Sequence, residues 1–158
     1  MSIDKARAHL SAYGLADRIK EFTVSSATVA LAAEALGTEE ARIAKSLSFM
    51  TSDGPILVIA AGDAKIANAK YKATFGEKAK MLSFEEVEPL IGHAVGGVCP
   101  FGINDGVRVY LDESLRRFDV VYPAAGTSAS AVELTIDELE RASVPTAWVD
   151  VTKTPDEQ

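Results

Sequence analysis

Residues 92–105, Gly-His-Ala-Val-Gly-Gly-Val-Cys-Pro-Phe-Gly-Ile-Asn-Asp, constrain the fold more than any other part of the chain. Four glycines leave the backbone loose and one proline removes a hydrogen-bond donor, so the stretch is neither an ordinary helix nor a central strand. It must be a shaped loop. Having little bulk to pack, and apolar β-type segments near it, such a loop is suited to presenting backbone N–H groups to a ligand that comes close.

Around this loop the apolar pattern alternates between helix and strand. Ile3, Ala6, Leu10 and Tyr13 recur at helical spacing and Gly14 follows as a stop. Phe22 and Val24 alternate with Glu21 and Thr23, which predicts a half-buried strand. A second helix is expected over about 27–36, with Ser25 or Ser26 as its cap and Gly37 as its terminator. Residues 44–50 read as a strand whose only charged side chain is Lys45. Asp53-Gly54 then turns into residues 55–61, whose unbroken apolar run predicts a strand covered on both faces.

Helices are predicted over 64–75 and 84–91. The second carries a capping box in Ser83 and Glu86 and a Leu82–Val87 staple, with Pro89 placed to cut it short. Strands at 107–111, 120–122, 129–134 and 147–151, and a helix opened by the Thr135/Glu138 capping box, complete a mixed α/β order. At 158 residues and 47% hydrophobic content this makes one domain, residues 1–152, with a polar tail at 153–158.

A single cysteine, Cys99, cannot form an internal disulfide, and no apolar window suits a signal peptide or a membrane span. A cytoplasmic protein without membrane contact is expected. The net charge of −7 argues against broad attraction to nucleic acid, and no DNA partner is expected. Lys65, Lys70, Lys72, Lys78 and Lys80, against Glu77 alone, form a local exception that suits either phosphates or a solvated helix face.

Two histidines, His9 and His93, and one cysteine are too few and too scattered for a zinc spacing, so neither metal nor cofactor is expected. Neither phosphate-binding glycine motif is present, and residues 126–130, Gly-Thr-Ser-Ala-Ser, lack the second glycine of a nucleophile elbow. What remains is an amide-rich loop, one lysine in an apolar strand and a second small-residue loop. Backbone amides aimed at a developing oxyanion supply about 3 kcal/mol per donor, so this inventory suits hydrolysis of an acyl ester by water.

The run Ala-Arg-Ile-Ala-Lys45-Ser46-Leu-Ser-Phe, together with Gly92-His93-x-x-Gly96-Gly97-Val98-x-Pro100-Phe101-Gly102, resembles the YbaK/EbsC family. These proteins are free-standing relatives of the editing insertion domain of bacterial prolyl-tRNA synthetase. The similarity runs from the Ser-Ser-Ala-Thr-Val-Ala-Leu-Ala-Ala-Glu-Ala-Leu-Gly segment to Ala-Ala-Gly126-Thr-Ser and Glu133-Leu-Thr. It implies a single compact α/β domain with a mixed, barrel-like sheet surrounded by helices. It also implies hydrolysis of the ester of mischarged tRNA, in particular tRNA-Pro carrying Cys, Ala or another small amino acid, with prolyl-tRNA synthetase as a further partner.

Carried over residue by residue, the family's essential lysine falls on Lys45 and its Gly-Gly-x-x-Pro loop on Gly96, Gly97 and Pro100. In that picture Gly97 and its neighbours hold the ester carbonyl, and water or a group on the substrate itself attacks, with the neighbouring ribose hydroxyl assisting. Thr28, Ser46, Val98, Phe101 and Gly126 join as candidate pocket residues. His93 reads as a helix-end cap and Cys99 as a small packed residue, because no other base stands beside the thiol. The alternative is a non-catalytic module that binds tRNA or the synthetase without turnover.

Overall fold

The unbroken apolar run at 56–61 sits at the centre of the structure, a computed structural model that describes residues 2–23 and 28–157. The elements in chain order are α1 (Ser2–Ser11), β1 (Ile19–Glu21), α2 (Val29–Leu36), β2 (Ile43–Thr51), β3 (Gly54–Ala61) and β4 (Lys65–Ile66). Then come α3 (Asn68–Phe75), α4 (Phe84–Ile91), β5 (Arg108–Asp112), β6 (Val120–Pro123), β7 (Ser130–Val132) and β8 (Leu134–Thr135). The chain ends with α5 (Ile136–Ser143), β9 (Ala147–Val149) and β10 (Thr152–Lys153).

A six-stranded mixed sheet of order β8-β6-β2-β3-β5-β9 curls into a half-barrel, with two small two-stranded ladders, β1-β7 and β10-β4, beside it. Both faces of β3 are buried, as its sequence predicts. Leu57, Ile59 and Ala61 enter the larger core cluster with Leu82, Val87, Ile91 and Phe101, while Ile56 and Val58 pack with Phe49, Tyr71 and Tyr110. At about 25 cal/mol per Å² of apolar surface removed from water, these two clusters are the main favourable contribution to folding.

Local signals held where they were strong. The capping boxes at Ser83/Glu86 and Thr135/Glu138 are both formed. Pro89 lies inside α4, which nevertheless continues to Ile91, so the expected early stop does not occur. Four elements differ from their sequence reading. The first strand, expected over 21–24, occupies Ile19–Glu21, where it pairs with β7; Val24 lies outside the described residues. The predicted caps Ser25 and Ser26 lie outside the described residues, and Thr28 caps α2, its hydroxyl accepting from Leu31 N–H at 3.1 Å. The helix expected from residue 64 starts at Asn68, since Lys65–Ile66 pair with β10, a strand without its own apolar pattern. The segment 129–134 divides into β7 and β8, one paired with β1 and the other with β6.

Candidate active site

α1 is the support on which both small-residue loops rest. A Cβ on Gly102 would stand 2.6 Å from the Lys5 carbonyl oxygen, and one on Gly126 would stand 2.5 Å from that of Ser2. Only glycine lets the loops lie this close to the helix backbone. Gly102 and Gly126 also have φ of +69° and +100°, which side chains seldom adopt. Lys5 Nζ donates to Gly92 O at 2.7 Å. His9 accepts from Gly102 N–H through Nδ1 at 3.1 Å and donates from Nε2 to Ala142 O at 2.6 Å, tying α1, the loop and α5 together.

The loops touch each other as well. A Cβ on Gly97 would lie 2.5 Å from the Gly126 carbonyl carbon and oxygen, so these glycines are a backbone-to-backbone contact. Gly97 N–H donates to Ala94 O at 3.0 Å. In this structure the Gly97 amide, expected as a donor to an ester carbonyl, closes a turn, and its missing side chain brings the loops together. In the second loop Ser130 Oγ accepts from Ala125 N–H and Thr127 N–H at 3.3 Å and donates to Thr127 O at 3.0 Å.

In front of these loops lies a cavity of about 400 Å³. Val29 and Ala32 of α2, residues 43–46 and Ser48 of β2, Met81, Leu82, Phe84, Val87, Tyr122, Ala124, Ser130 and Ala131 line it. Of the expected site residues it brings together Thr28, Lys45, Ser46, Gly96 and Val98. Pro100 and Phe101 are elsewhere, both buried, Phe101 against the His9 ring at 5.7 Å between centroids. Gly126 stands behind the wall rather than in it. Met81, Phe84 and Val95 are both lining and exposed, forming an apolar rim that the sequence reading did not single out.

Lys45 is held at the cavity by main-chain carbonyls. Its Nζ donates to Gly62 O at 3.3 Å and to Ala64 O. Burial holds its ammonium below the ordinary lysine range, opposed by the nearby Asp63 and reinforced by Lys65. The turn carrying those carbonyls is itself fixed. Arg117 grips the Asp63 carboxylate with both oxygens, at 2.6 and 3.1 Å, and holds its pKa below the usual carboxylate range. Ala61 N–H donates to Ser114 Oγ at 3.1 Å. A Cβ on Gly62 would collide with the Glu40 carbonyl oxygen and reach 2.8 Å from Val29 Cγ1. Gly62, Asp63, Ala64 and Arg117 were missed because what they position is far away in sequence.

The remaining reactive side chains are sealed. Cys99 is fully buried, its thiol pushed up to about 12, and its Sγ lies 3.6 Å from Phe101 O. Burial disfavours its thiolate, and His93 Nε2 lies 3.5 Å from the sulfur, so it packs as a small neutral residue. His93 is also fully buried, donates from Nε2 to Phe101 O at 2.6 Å, and is kept neutral-leaning by burial. Among the described residues no group of His, Cys, Asp and Glu side chains is disposed to hold a metal ion, and no helix is long and apolar enough to cross a membrane.

Comparison with known proteins adds to this geometry. A model of the aminoacyl-tRNA editing domain matches residues 23–142. Uncharacterized protein YwhH of Bacillus subtilis is 51% identical over 154 residues, covering 97% of this chain and 98% of that protein. A proline–tRNA ligase of Limosilactobacillus fermentum is 31% identical over 107 residues, which are 64% of this chain and 19% of the ligase. A solved structure, described as that of a candidate trans-editing enzyme for prolyl tRNA synthetase, shares the fold with a TM-score of 0.86 and 30% identity, over 96% of this chain and 97% of that one.

Proposed function

The chain belongs to the aminoacyl-tRNA editing domain family, and on that premise we propose that it hydrolyses the ester joining a small, wrongly attached amino acid to tRNA, tRNA-Pro first among candidates. The observation that carries this reading is Lys45: an ammonium fixed by two main-chain carbonyls at the wall of a cavity closed by the glycine loop. A charge so placed orients the substrate's ester or ribose oxygens and stabilises negative charge as it develops. Lys45 is no nucleophile in this scheme. Water attacks the carbonyl carbon, assisted by the ribose hydroxyl beside the ester; the carbon–oxygen bond to the ribose breaks, the amino acid leaves as its carboxylate and the ribose oxygen takes up a proton.

Because Gly97 N–H is engaged within the loop, the amides offered to the ester carbonyl are those of the cavity-lining neighbours Gly96 and Val98. The amino-acid side chain lies among Ala32, Ala44, Leu82, Val87 and Val98, walls that exclude bulky side chains by clash. Such a hollow separates neighbours that differ by one methylene by only about 1–3 kcal/mol, so a preference among small residues is expected rather than absolute choice. The compartment is the cytoplasm, where charged tRNA is found.

The test is a panel of tRNA-Pro charged with Cys, Ala, Ser, Thr or Pro, presented to wild type and Lys45→Ala. Release of one or more small amino acids by the wild type, with the proline product spared and the variant inactive though folded, is the expected result. Unchanged turnover in a folded Lys45→Ala would overturn the role of the lysine; binding of tRNA without release by wild type would favour a non-catalytic module.

A further inference from the structure

β2 has two different neighbours on the edge that faces away from β3. β6 pairs with it only at Ile43 and Ala44. Farther along, the segment 80–82 takes over: Leu82 N–H donates to Ser48 O at 3.2 Å, and Met50 N–H donates to Lys80 O at 2.8 Å. The register with β3 is unbroken from Ala44 to Thr51, so no bulge changes the alternation of peptide groups. The N–H and C=O of Ser46 therefore point to the same edge as those of Ser48 and Met50.

That edge is open at Ser46. The gap between β6 and the 80–82 segment is the cavity itself, lined by Tyr122 and Ala124 on one side and Met81 and Leu82 on the other. Ser46 Oγ is buried and has no hydrogen-bond partner. Three other hydroxyls in the wall are engaged: Thr28 Oγ1 accepts from Leu31 N–H, Tyr122 OH donates to Glu133, and Ser130 Oγ is held by its own loop. A buried polar group without a partner is a cost that a fold tolerates where a ligand supplies the missing bond.

We infer that Ser46 receives the α-ammonium group of the aminoacyl moiety through its main-chain carbonyl and its hydroxyl oxygen. The inference rests on the deacylase reading and names a contact within it. Every aminoacyl ester carries an amine one carbon from the reacting carbonyl, and in a mostly apolar hollow a charged amine needs oxygen acceptors. Ser46 provides them at one point of the wall. Lys45, adjacent in the chain but a cation, would repel the amine and suits the oxygens of the ester and ribose instead. The recognised feature is common to all amino acids, so Ser46 sets aminoacyl against non-amino acyl esters, while the apolar walls set side-chain size.

The experiment uses stable amides in place of the ester: 3′-amino-3′-deoxyadenosine acylated with alanyl, seryl or propionyl groups, the last lacking the amine. Binding of each to wild type and Ser46→Ala is measured by calorimetry. Wild type is expected to prefer alanyl over propionyl by about tenfold, the size of a charge-assisted hydrogen bond. Ser46→Ala, which removes the unpaired hydroxyl and keeps the main-chain carbonyl, should lose part of that preference, about threefold, for alanyl and seryl alike and bind propionyl unchanged. No discrimination by wild type, no binding of any analogue, or equal weakening of all three in the variant would each overturn the inference. So would a loss confined to seryl, which would make the hydroxyl a reader of the side chain. Turnover of charged tRNA by wild type is scored separately, so an amine preference without ester hydrolysis would sink the deacylase reading alone.

Discussion

Lys45 hydrogen-bonds to carbonyls and makes no direct ion pair among the described residues, while the nearby Asp63 is gripped by Arg117, which leaves the ammonium available where a substrate would meet it. Its strand position and polarity among apolar neighbours suited a snorkelling lysine equally well, and it was the resemblance of the surrounding run to the YbaK/EbsC family that made it legible in sequence. The same holds for the small residues Ser46, Gly96 and Val98, which the fold does bring to the same cavity. Pro100 and Phe101 were misplaced because a motif written along the chain does not say which of its residues face inward; both are buried in this loop. Gly62 could not be read at all. Its φ is unremarkable, and it is required only because Glu40 and Val29, distant in sequence, press against it. Gly62→Ala should therefore push the turn away from Lys45, costing about 1–3 kcal/mol of stability from overpacking. Deacylation should fall by at least about tenfold, a loss of 1.4 kcal/mol in transition-state stabilisation. Denaturant unfolding and single-turnover kinetics check this, and wild-type rates in a folded Gly62→Ala would show that the carbonyl clamp does not matter.

At the scale of elements, α1 has a part that its amphipathic pattern did not disclose. The pattern gives a buried face, with Ala6 and Leu10 inside, but not the contacts of its backbone with Gly102 and Gly126. His9 is the joint of this arrangement, bonded at one ring nitrogen to the glycine loop and at the other to the end of α5. His9→Ala would leave Gly102 N–H and Ala142 O without these partners, and the expected loss is about 2–6 kcal/mol, since each orphaned group costs about 1–3. The midpoint of urea unfolding should fall with its slope unchanged. A change within about 0.5 kcal/mol, the usual range for surface substitutions, would mean that solvent satisfies both groups and that α1 is not the support proposed. The division of 129–134 into β7 and β8 and the short β4–β10 ladder were likewise beyond the sequence pattern, because each is fixed by a pairing partner and not by periodicity.

For the whole molecule, the fold class and the order of the larger elements were legible because the strong signals, the both-face-buried β3 and the capped helices α4 and α5, are local. The acid response is a property of the entire structure. His93 is buried with its pKa lowered from 6.5, so below that value the unfolded chain binds protons that the folded one resists, and stability falls as pH drops. Asp63 and Glu138, lowered from 3.8 and 4.5 by Arg117 and by the Thr135 cap with Arg18, give stability that is present above those values and is lost as pH falls through their folded pKa. Thermal unfolding across pH should therefore show a first decline near the imidazole range and a second in the carboxylate range. His93→Gln should remove the first decline alone; its persistence in that variant would assign it to another group.

The central claim is that a carbonyl-clamped lysine and the glycine loop make one ester-cleaving site. Single-turnover release of the amino acid from mischarged tRNA-Pro, comparing wild type with a Lys45→Ala protein whose unfolding curve is native-like, addresses it most directly. Release by wild type and its loss in the variant, with tRNA affinity changed little, is the predicted result; equal release by both proteins would contradict it.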